Sequence, residues 1–486
     1  MRPIQTRTAL DLTQDTPPKS RPLSPFTEQP ARAYVAPRMT HLFRQLRRWE
    51  DRGQFVRTGV IGAGFMGRGL VYQLSRMPGM FPSLLVNRSI DKAVDAYRAA
   101  GFNPQEVLVS DSPRALADAV SRRQPAVTAN AEVAAAVVPL DVMIEATGSV
   151  EYGARAALSC IWHKKHFVSL NAETDGTIGA LLKRKADEAG VVYSNSDGDQ
   201  PGVLMRLIDY CRGCGFDVRC AVNCKGFMNV RATPESIMEW AIKQNTSPRM
   251  TAAFTDGTKM NIENNVICNA TGFLPARRGM IGVKTDLKNA LKDFIASGAL
   301  IDHPTVDYTL AGDFAGGVFV IAKAEHPEMV KPYLRYLKMG DGPFYLFYRP
   351  YHLCHIETPL SAAEAVIYRE PTIAPLGKPV AHTVAIAKRD LKAGETLDGI
   401  GGYLAYGQLE SADNARGLLP IGLADDLRLT RDVPQDEPIP MSAVELDESR
   451  LIVKLWREQE RVFQDEERPQ VPTGVVADPI AASGLL

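Results

Sequence analysis

The sequence predicts an α/β protein: a doubly wound parallel sheet first, then an α+β domain, then a small β-rich module. Three observations carry this. From Phe55 to about Ser194, short apolar runs (VRTGVIG, SLLVN, EVLVS, DVMIEATG, HFVSLNA, GVVYSN) alternate with helix-like stretches of ten or more residues, the rhythm of βαβ units. Residues 200–350 mix helices with strand candidates such as RCAVNCKGFMNV and GGVFVIAKA. Residues 380–447 hold short strands and turns, VAHTVAIAKRDLKAGETLDGIGG among them, with almost no helical period.

Size and charge agree with a multi-domain globular protein. The chain has 486 residues, about three domains at roughly 150 residues each. Its 56 basic and 56 acidic residues cancel, so no broad positive field draws it onto nucleic acid. No uninterrupted apolar run reaches the roughly 18–20 residues of a membrane span. The opening MRPIQTRTALDLTQDTPPKS lacks the apolar stretch of a secretory signal. Seven cysteines, an odd number, suit a reducing compartment better than a disulfide framework. The expectation is a soluble, cytoplasmic protein that acts on a small molecule, binds neither nucleic acid nor membrane, and forms a homodimer or higher homo-oligomer.

Taken in order, residues 1–52 read as a disordered arm ending in a short helix over Met39–Arg52. Up to about residue 37 the arm holds seven prolines and few large apolar residues, too little to offset its ordering entropy. Residues 53–200 form the parallel-sheet domain. Within it Ser89 opens the helix DKAVDAYRAA, which stops at Gly101, and Ser112-Pro113 opens ALADAVSRR with an N-cap and an N1 proline. Residues 201–370 form the α+β catalytic and dimerisation domain, closed by a helix in TPLSAAEAVIYRE. PTIAPLGKP, with three prolines and a glycine in nine residues, reads as a linker over 371–379. The β-rich module spans 380–447. A helix and a polar, Pro-rich tail over 448–486 end the chain.

Gly62-Ala63-Gly64-Phe65-Met66-Gly67 follows an apolar strand and opens a helix, and that context gives the GxGxxG pattern its force. Gly62 permits the tight turn, Gly64 lets backbone approach a pyrophosphate, and Gly67 lets the helix pack close to the sheet. The helix start around Phe65 and Met66 faces the anion. This is the fingerprint of a Rossmann dinucleotide site.

An NAD-preferring site places a carboxylate about 20 residues on, at the end of the second strand. Here that strand ends in Asn87-Arg88-Ser89, and Arg88 is available for a 2′-phosphate, so NADP (as NADPH) is the expected cofactor. The competing reading makes Arg88 a solvated residue at a helix start. Thr147 and Gly148, after DVMIEA, and Asn171, after HFVSL, stand at strand ends where such sheets bind ligands, though turn chemistry alone also explains Gly148.

Four residues are candidates for the chemistry. Asp197 and Asp199 lie in SDGDQPG before a helix, either as N-cap carboxylates or as groups that position substrate hydroxyls or a cation. Lys225 ends the apolar strand AVNC. Lys259 opens a helix carrying Glu263, Asn264 and Asn269. A lysine beside a substrate carbonyl stabilises developing negative charge or shuttles a proton; the alternative for each is a solvated surface group. Cys211, Cys214, Cys220 and Cys224 fall within fourteen residues. Their placement on an amphipathic helix and an apolar strand favours small buried hydrophobes over a metal site. His352 and His355 have no third ligand nearby in sequence, so no metal is expected.

In order, VIGAGFMGRGL, IEATGS, SLNAETD, SDGDQPG, KGFMN and DGTK are similar to the homoserine dehydrogenase-like oxidoreductases with a C-terminal SAF domain. The block VAIAKRDLKAGETLDGIGG resembles that β-clip-like SAF module. Within the group the chain most resembles the reductoisomerase-like proteins that stand in for 1-deoxy-D-xylulose-5-phosphate reductoisomerase in isoprenoid synthesis. The resemblance covers roughly Arg57 to Glu445. It implies an NADPH-dependent oxidoreductase of a small polar carbonyl or hydroxyl compound, such as a sugar phosphate that is rearranged and reduced. Rival expectations are a plain dehydrogenase of a hydroxy acid or polyol, and a non-catalytic sensor of NADPH and saccharide. Homoserine dehydrogenases also carry a lysine soon after the strand matching HFVSLNA. Asn-Ala-Glu-Thr stands there here, which leaves Lys225 and Lys259 as the catalytic candidates. Lys259 is favoured, because a helix start after a glycine turn holds a side chain more firmly than a strand end does. The SAF segment is expected to fold separately and to tune assembly or access.

Overall fold

The computed structural model describes residues 41–466 apart from 311 and 313. The expected N-terminal arm and most of the expected polar tail lie outside the described residues. The expected short helix is α1 (His41–Asp51).

Seven strands form one parallel sheet: β1 (Val56–Ile61), β2 (Met80–Val86), β3 (Leu108–Val109), β4 (Ala126–Thr128), β5 (Val142–Glu145), β6 (His166–Ser169) and β7 (Tyr193–Asn195). Their order is β3-β4-β2-β1-β5-β6-β7. The chain reverses direction across the sheet between β1 and β5, the place where a crevice opens outside the strand ends. Register makes that crevice level, since Ile61 at the end of β1 sits opposite both Val86 of β2 and Glu145 of β5. Helices α2 (Phe65–Arg76), α3 (Ile90–Ala99), α4 (Pro113–Ser121), α5 (Ala131–Ala135), α6 (Val150–Trp162) and α7 (Ala172–Ala189) complete the domain. Strand alternation divides the core: Val60, Leu85 and Ile144 meet Leu70, Leu74 and Tyr97 on one face, while Ile61, Leu84 and Met143 meet Leu116, Ala157 and Leu181 on the other. Ser112 caps α4 through the Ala115 N–H, with Pro113 behind it, whereas Ser89 makes no side-chain cap on α3.

The second region runs α8 (Gln200–Gly213), β8 (Phe216–Lys225), α9 (Met238–Lys243), α10 (Pro248–Thr255), α11 (Thr258–Thr271), β9 (Leu274–Pro275), β10 (Val283–Lys284), α12 (Ala290–Ser297), β11 (Thr305–Leu310), β12 (Val318–Ala324), α13 (Pro327–Tyr336), β13 (Phe344–Arg349) and α14 (Cys354–Ile367). Its sheet is mixed, in the order β10-β11-β8-β12-β13 with β9 on β11. One face is sealed by Phe294 of α12 over Cys220, Val222, Cys224 and Phe319. Cys211 lies in a different core and Cys214 is exposed. Among the described residues no three His, Cys, Asp or Glu side chains converge as a metal site.

The last region pairs β14 (Ala381–Ala387) with β16 (Ala405–Ser411), and β15 (Thr396–Asp398) with β17 (Asp425–Leu429) and β18 (Val444–Glu445), and closes with α15 (Leu451–Val462). Residues 371–379 are docked along their course: Ile373 bridges Asn195 on the edge strand β7, and the Leu376 N–H donates to the Asn269 carbonyl. An otherwise open sheet edge is covered this way.

Candidate active site

The glycine pattern folds as its spacing requires. Gly62 has φ +106°, and a Cβ on Gly67 would lie 1.8 Å from the Gly62 carbonyl oxygen, so only glycine lets α2 start this close to β1. A Cβ on Gly64 would meet nothing within 4 Å, which leaves its backbone open to a ligand. No side chain caps α2, so the first N–H groups, at Phe65 and Met66, point outward as anion donors. Phe65 is exposed, its ring edge-on to His355, whose own ring packs against Gly69.

A cavity of about 340 Å³ runs from Gly62 and Gly64 past Asn87 and Arg88 to Thr147 and Ser149. Arg88 is exposed there and no ion pair engages it among the described residues. Asn87 is committed to the protein: its Oδ1 accepts from the Ala63 N–H at 3.1 Å and its Nδ2 donates to the Ser89 carbonyl at 2.8 Å, tying the glycine turn to the end of β2. Thr147 lines the cavity while its hydroxyl and its N–H donate to Glu145 Oε1. Burial pushes the Glu145 carboxyl up to about 7 against the pull of those donors. Gly148 lies just beyond, with φ +73°. Asn171, expected to touch the cofactor, is fully buried. Its Oδ1 caps α7 at the Thr174 N–H and its Nδ2 donates to the Ser149 carbonyl at 3.0 Å, so it braces the cofactor-side loop and lines neither of the cavities described here. The residues present fit a nicotinamide dinucleotide: an open glycine cradle, a free helix start and a cation over the adenosine end.

Beyond the sheet edge a polar cluster assembles from four elements. Lys259 is buried at the start of α11, and its Nζ donates to Glu173 Oε2 of α7 at 3.0 Å. Burial pulls the pKa of Lys259 down, but the charges of Glu173, Asp199 and Glu263 outweigh it and raise the pKa, so the ammonium is held charged. One turn along α11, Glu263 Oε2 accepts from Lys225 at 3.0 Å, and Lys225 also donates to Gln200 Oε1. Asp199 stands at the N-cap of α8 but makes no capping bond. Burial, reinforced by Glu263, pushes its carboxyl up against the pull of Lys259 and His352. Both candidate lysines and Asp199 therefore meet in one cluster.

Asp197 does not join them. Its Oδ2 pairs with Arg206 at 3.0 Å and its Oδ1 accepts from the Gly198 N–H, while Arg206 also holds Glu364 of α14. The loop's two carboxylates face different neighbours, and Asp197 is a structural tie. Sequence reasoning did not single out Glu173, which holds Lys259, nor assign a role to Glu263, which holds Lys225. The available signal was the position of Glu173 just past the end of β6, in the slot where the resembled family places its lysine. Lys259 reaches Glu173 from another helix. His352 donates from Nδ1 to the Gly316 carbonyl at 2.6 Å.

Residues 198–358, which hold Asp199, Lys225, Lys259 and Glu263, match the family described as oxidoreductase DRL, catalytic domain. No curated protein matches the chain. Among solved structures, a probable dehydrogenase from Thermotoga maritima is similar over 66% of this chain and 90% of its own, at 11% identity and a TM-score of 0.38. Dipicolinate-bound dihydrodipicolinate reductase from Paenisporosarcina sp. TG-14 is similar over 65% of this chain and 97% of its own, at 12% identity and TM-score 0.33. 1-Deoxy-D-xylulose 5-phosphate reductoisomerase from Zymomonas mobilis in complex with NADPH is similar over 43% of this chain and 57% of its own, at 19% identity and TM-score 0.30. With its doubly wound sheet, open glycine cradle and matched catalytic domain, the chain is an oxidoreductase of the NAD(P)-dependent kind. Among the described residues no helix is long and apolar enough to cross a membrane.

Proposed function

We propose that the protein is an NADPH-dependent reductase of a small polar carbonyl compound, with Lys259 as the cation at the reacting oxygen. The observation that carries this is the buried Lys259–Glu173 pair at the edge of the sheet beyond Thr147 and Asn171. When bound, NADPH supplies the electrons and hydrogen that reduce a carbonyl carbon. Reduction places negative charge on the carbonyl oxygen. A desolvated ammonium stabilises that charge strongly, because little water screens it. Lys259 is held charged by its carboxylates and points at one place, so it needs little reorganisation. The same ammonium, or Lys225 through Glu263, then delivers the proton to that oxygen. Asp199, with its raised pKa, orients substrate hydroxyls and exchanges protons with them. NADPH is preferred because no carboxylate ends β2 and Arg88 is free for a 2′-phosphate. The resemblance drawn from the sequence extends the reading to a sugar phosphate that is rearranged before reduction.

Turnover of NADPH with a panel of small carbonyls, phosphorylated sugars included, separates this enzyme from a sensor that only binds. Lys259→Ala and Lys225→Ala are then compared with wild type. At least one variant is expected to keep its NADPH affinity while turnover falls about a hundredfold, the typical cost of losing a general acid. Two variants that turn over like wild type refute the assignment.

A further inference from the structure

The dinucleotide cavity lies where strands of the parallel sheet end. A separate cavity, of about 490 Å³, opens where two of them begin. Val138 and Leu140 lead into β5, Lys164 and Lys165 lead into β6, His166 is the first residue of β6, and Arg369 follows α14. We propose that this cavity is a second binding site, for a phosphate dianion, free or carried as a monoester. Its oxygens accept from Arg369 and His166, and Lys164 and Lys165 supply further charge.

His166 is the first reason. It is only 6% exposed, and both ring nitrogens face donors: the Val192 N–H lies 2.9 Å from Nδ1, and Arg369 Nη1 lies 2.9 Å from Nε2. Burial, reinforced by the Arg369 charge, pushes the His166 pKa down to about 4, so the ring is uncharged at neutral pH. An uncharged imidazole has one N–H and one acceptor nitrogen. Whichever nitrogen carries the proton, a donor faces a donor. With Nδ1 accepting from the backbone, the Nε2–H and the Arg369 N–H are the pair that lack an acceptor. One anionic oxygen can accept from both.

Charge is the second. Lys165 is as buried as His166, and its Nζ donates to the Val138 and Leu140 carbonyls at 2.8 and 2.9 Å. Lys164 and Arg369 are exposed and donate to the carbonyls of Ala189 and Gly190. Carbonyls satisfy N–H groups without cancelling their charge, and among the described residues no ion pair engages any of the three. Asp141, the one carboxylate among the described residues of the cavity wall, already gives both oxygens to Arg57. Burial pulls the Lys165 pKa down against the pull of Asp141, the mark of a cation short of counter-charge. A buried cation without a partner is costly, and a dianion offsets twice the charge that a carboxylate does. The volume lies within the roughly 300–1,000 Å³ of small-molecule sites, which leaves room for the body of a monoester.

The test titrates inorganic phosphate and phenyl phosphate into the full chain by calorimetry at constant ionic strength, with acetate as the singly charged control. At least one phosphate is expected to bind at a single site with a dissociation constant below about 10 mM, and about tenfold more tightly than acetate. The tighter of the two tells free ion from monoester. Saturating NADPH, and separately Arg88→Ala, is expected to leave this binding within about twofold, because the dinucleotide cavity lies at the opposite strand ends. Arg369→Gln with Lys164→Gln, both at exposed positions, is expected to weaken it at least about tenfold while NADPH affinity is kept. If the double variant does not fold, Lys164→Gln alone is expected to lose at least about threefold. Absence of saturable phosphate binding, acetate binding as tightly, displacement by NADPH, or folded variants that bind phosphate undiminished would each overturn the proposal.

Discussion

Arg88 lines the cavity beside the glycine turn and is engaged by no ion pair among the described residues, and the proposed preference for NADPH is tested at this residue. A guanidinium on a phosphate makes charge-assisted bonds worth on the order of 1.5–3 kcal/mol, about ten- to a hundredfold in affinity. NADPH is therefore expected to bind that much more tightly than NADH, and Arg88→Ala to erase most of the gap. Equal dissociation constants in the wild type would refute it. Glu145 makes a second residue-scale prediction. Its carboxyl, raised by burial from 4.5 to about 7, contributes stability that is complete below about pH 4.5 and is lost as pH climbs through about 7. The shift corresponds to about 3 kcal/mol. Glu145→Gln removes that loss, so the variant should gain on wild type between pH 5 and pH 8 in thermal unfolding. A constant difference across that range would show that the carboxyl does not titrate there. The glycine turn and the place of Arg88 at the end of β2 were legible in the sequence because they are local: a strand, a turn and a helix start within a few dozen residues. The Lys259–Glu173 pair was not, because it joins α7 to α11 and a carboxylate's burial leaves no mark on its neighbours in the chain.

Helix α11 shows the same limit one level up. Its helical character was readable, but all fourteen residues are buried, although several are polar. A helix of this kind survives only if nearly all of its polar groups find partners, and several of those partners are backbone from far along the chain. The hydroxyl oxygen of Thr258 accepts the Gly407 N–H, Asn261 that of Leu409, and Asn269 those of Val380 and Ala381. No periodicity announces such pairings. The start of α11, which aims Lys259, is held by Asp256: its Oδ1 accepts the Thr258 N–H and its Oδ2 lies 2.9 Å from Lys388 Nζ. Lys388 also donates to the carbonyls of Ala232 and Gly402. Removing one partner of a buried pair typically costs about 3–5 kcal/mol, whereas replacing both with neutral groups is often close to neutral. Lys388→Met should therefore destabilise the protein by about that much in denaturant unfolding, and adding Asp256→Asn should restore most of it. A single variant as stable as wild type would show the pair to be dispensable.

At the scale of the whole molecule, the order of a parallel sheet, a mixed α+β region and a β-rich module was readable, because each follows from its own periodicity and turn residues. How the last region meets the others was not, since packing between distant segments has no sequence period. Residues beyond 372 cover much of what the rest of the chain buries. β14 and β16 lie along α11, and a Cβ on Gly422 would come within 1.9 Å of the Thr177 hydroxyl on α7. Leu455 and Trp456 of α15 belong to the same continuous core as Leu181 and Ile262. A chain ending near Thr372 would expose the polar and apolar faces of α11 and α7 together, leaving buried Asn and Thr groups without their backbone donors. Exposed apolar area at about 25 cal/mol per Å² quickly exceeds the 5–15 kcal/mol that holds a typical domain. Against the sequence expectation of a segment that folds separately, the shortened chain is therefore expected to lose cooperative unfolding and NADPH binding together, as read by calorimetry and cofactor titration. If it instead unfolds cooperatively and binds NADPH like the full chain, the C-terminal module is an independent unit, and the support it gives to Lys259 through α11 is not needed to form the cofactor site.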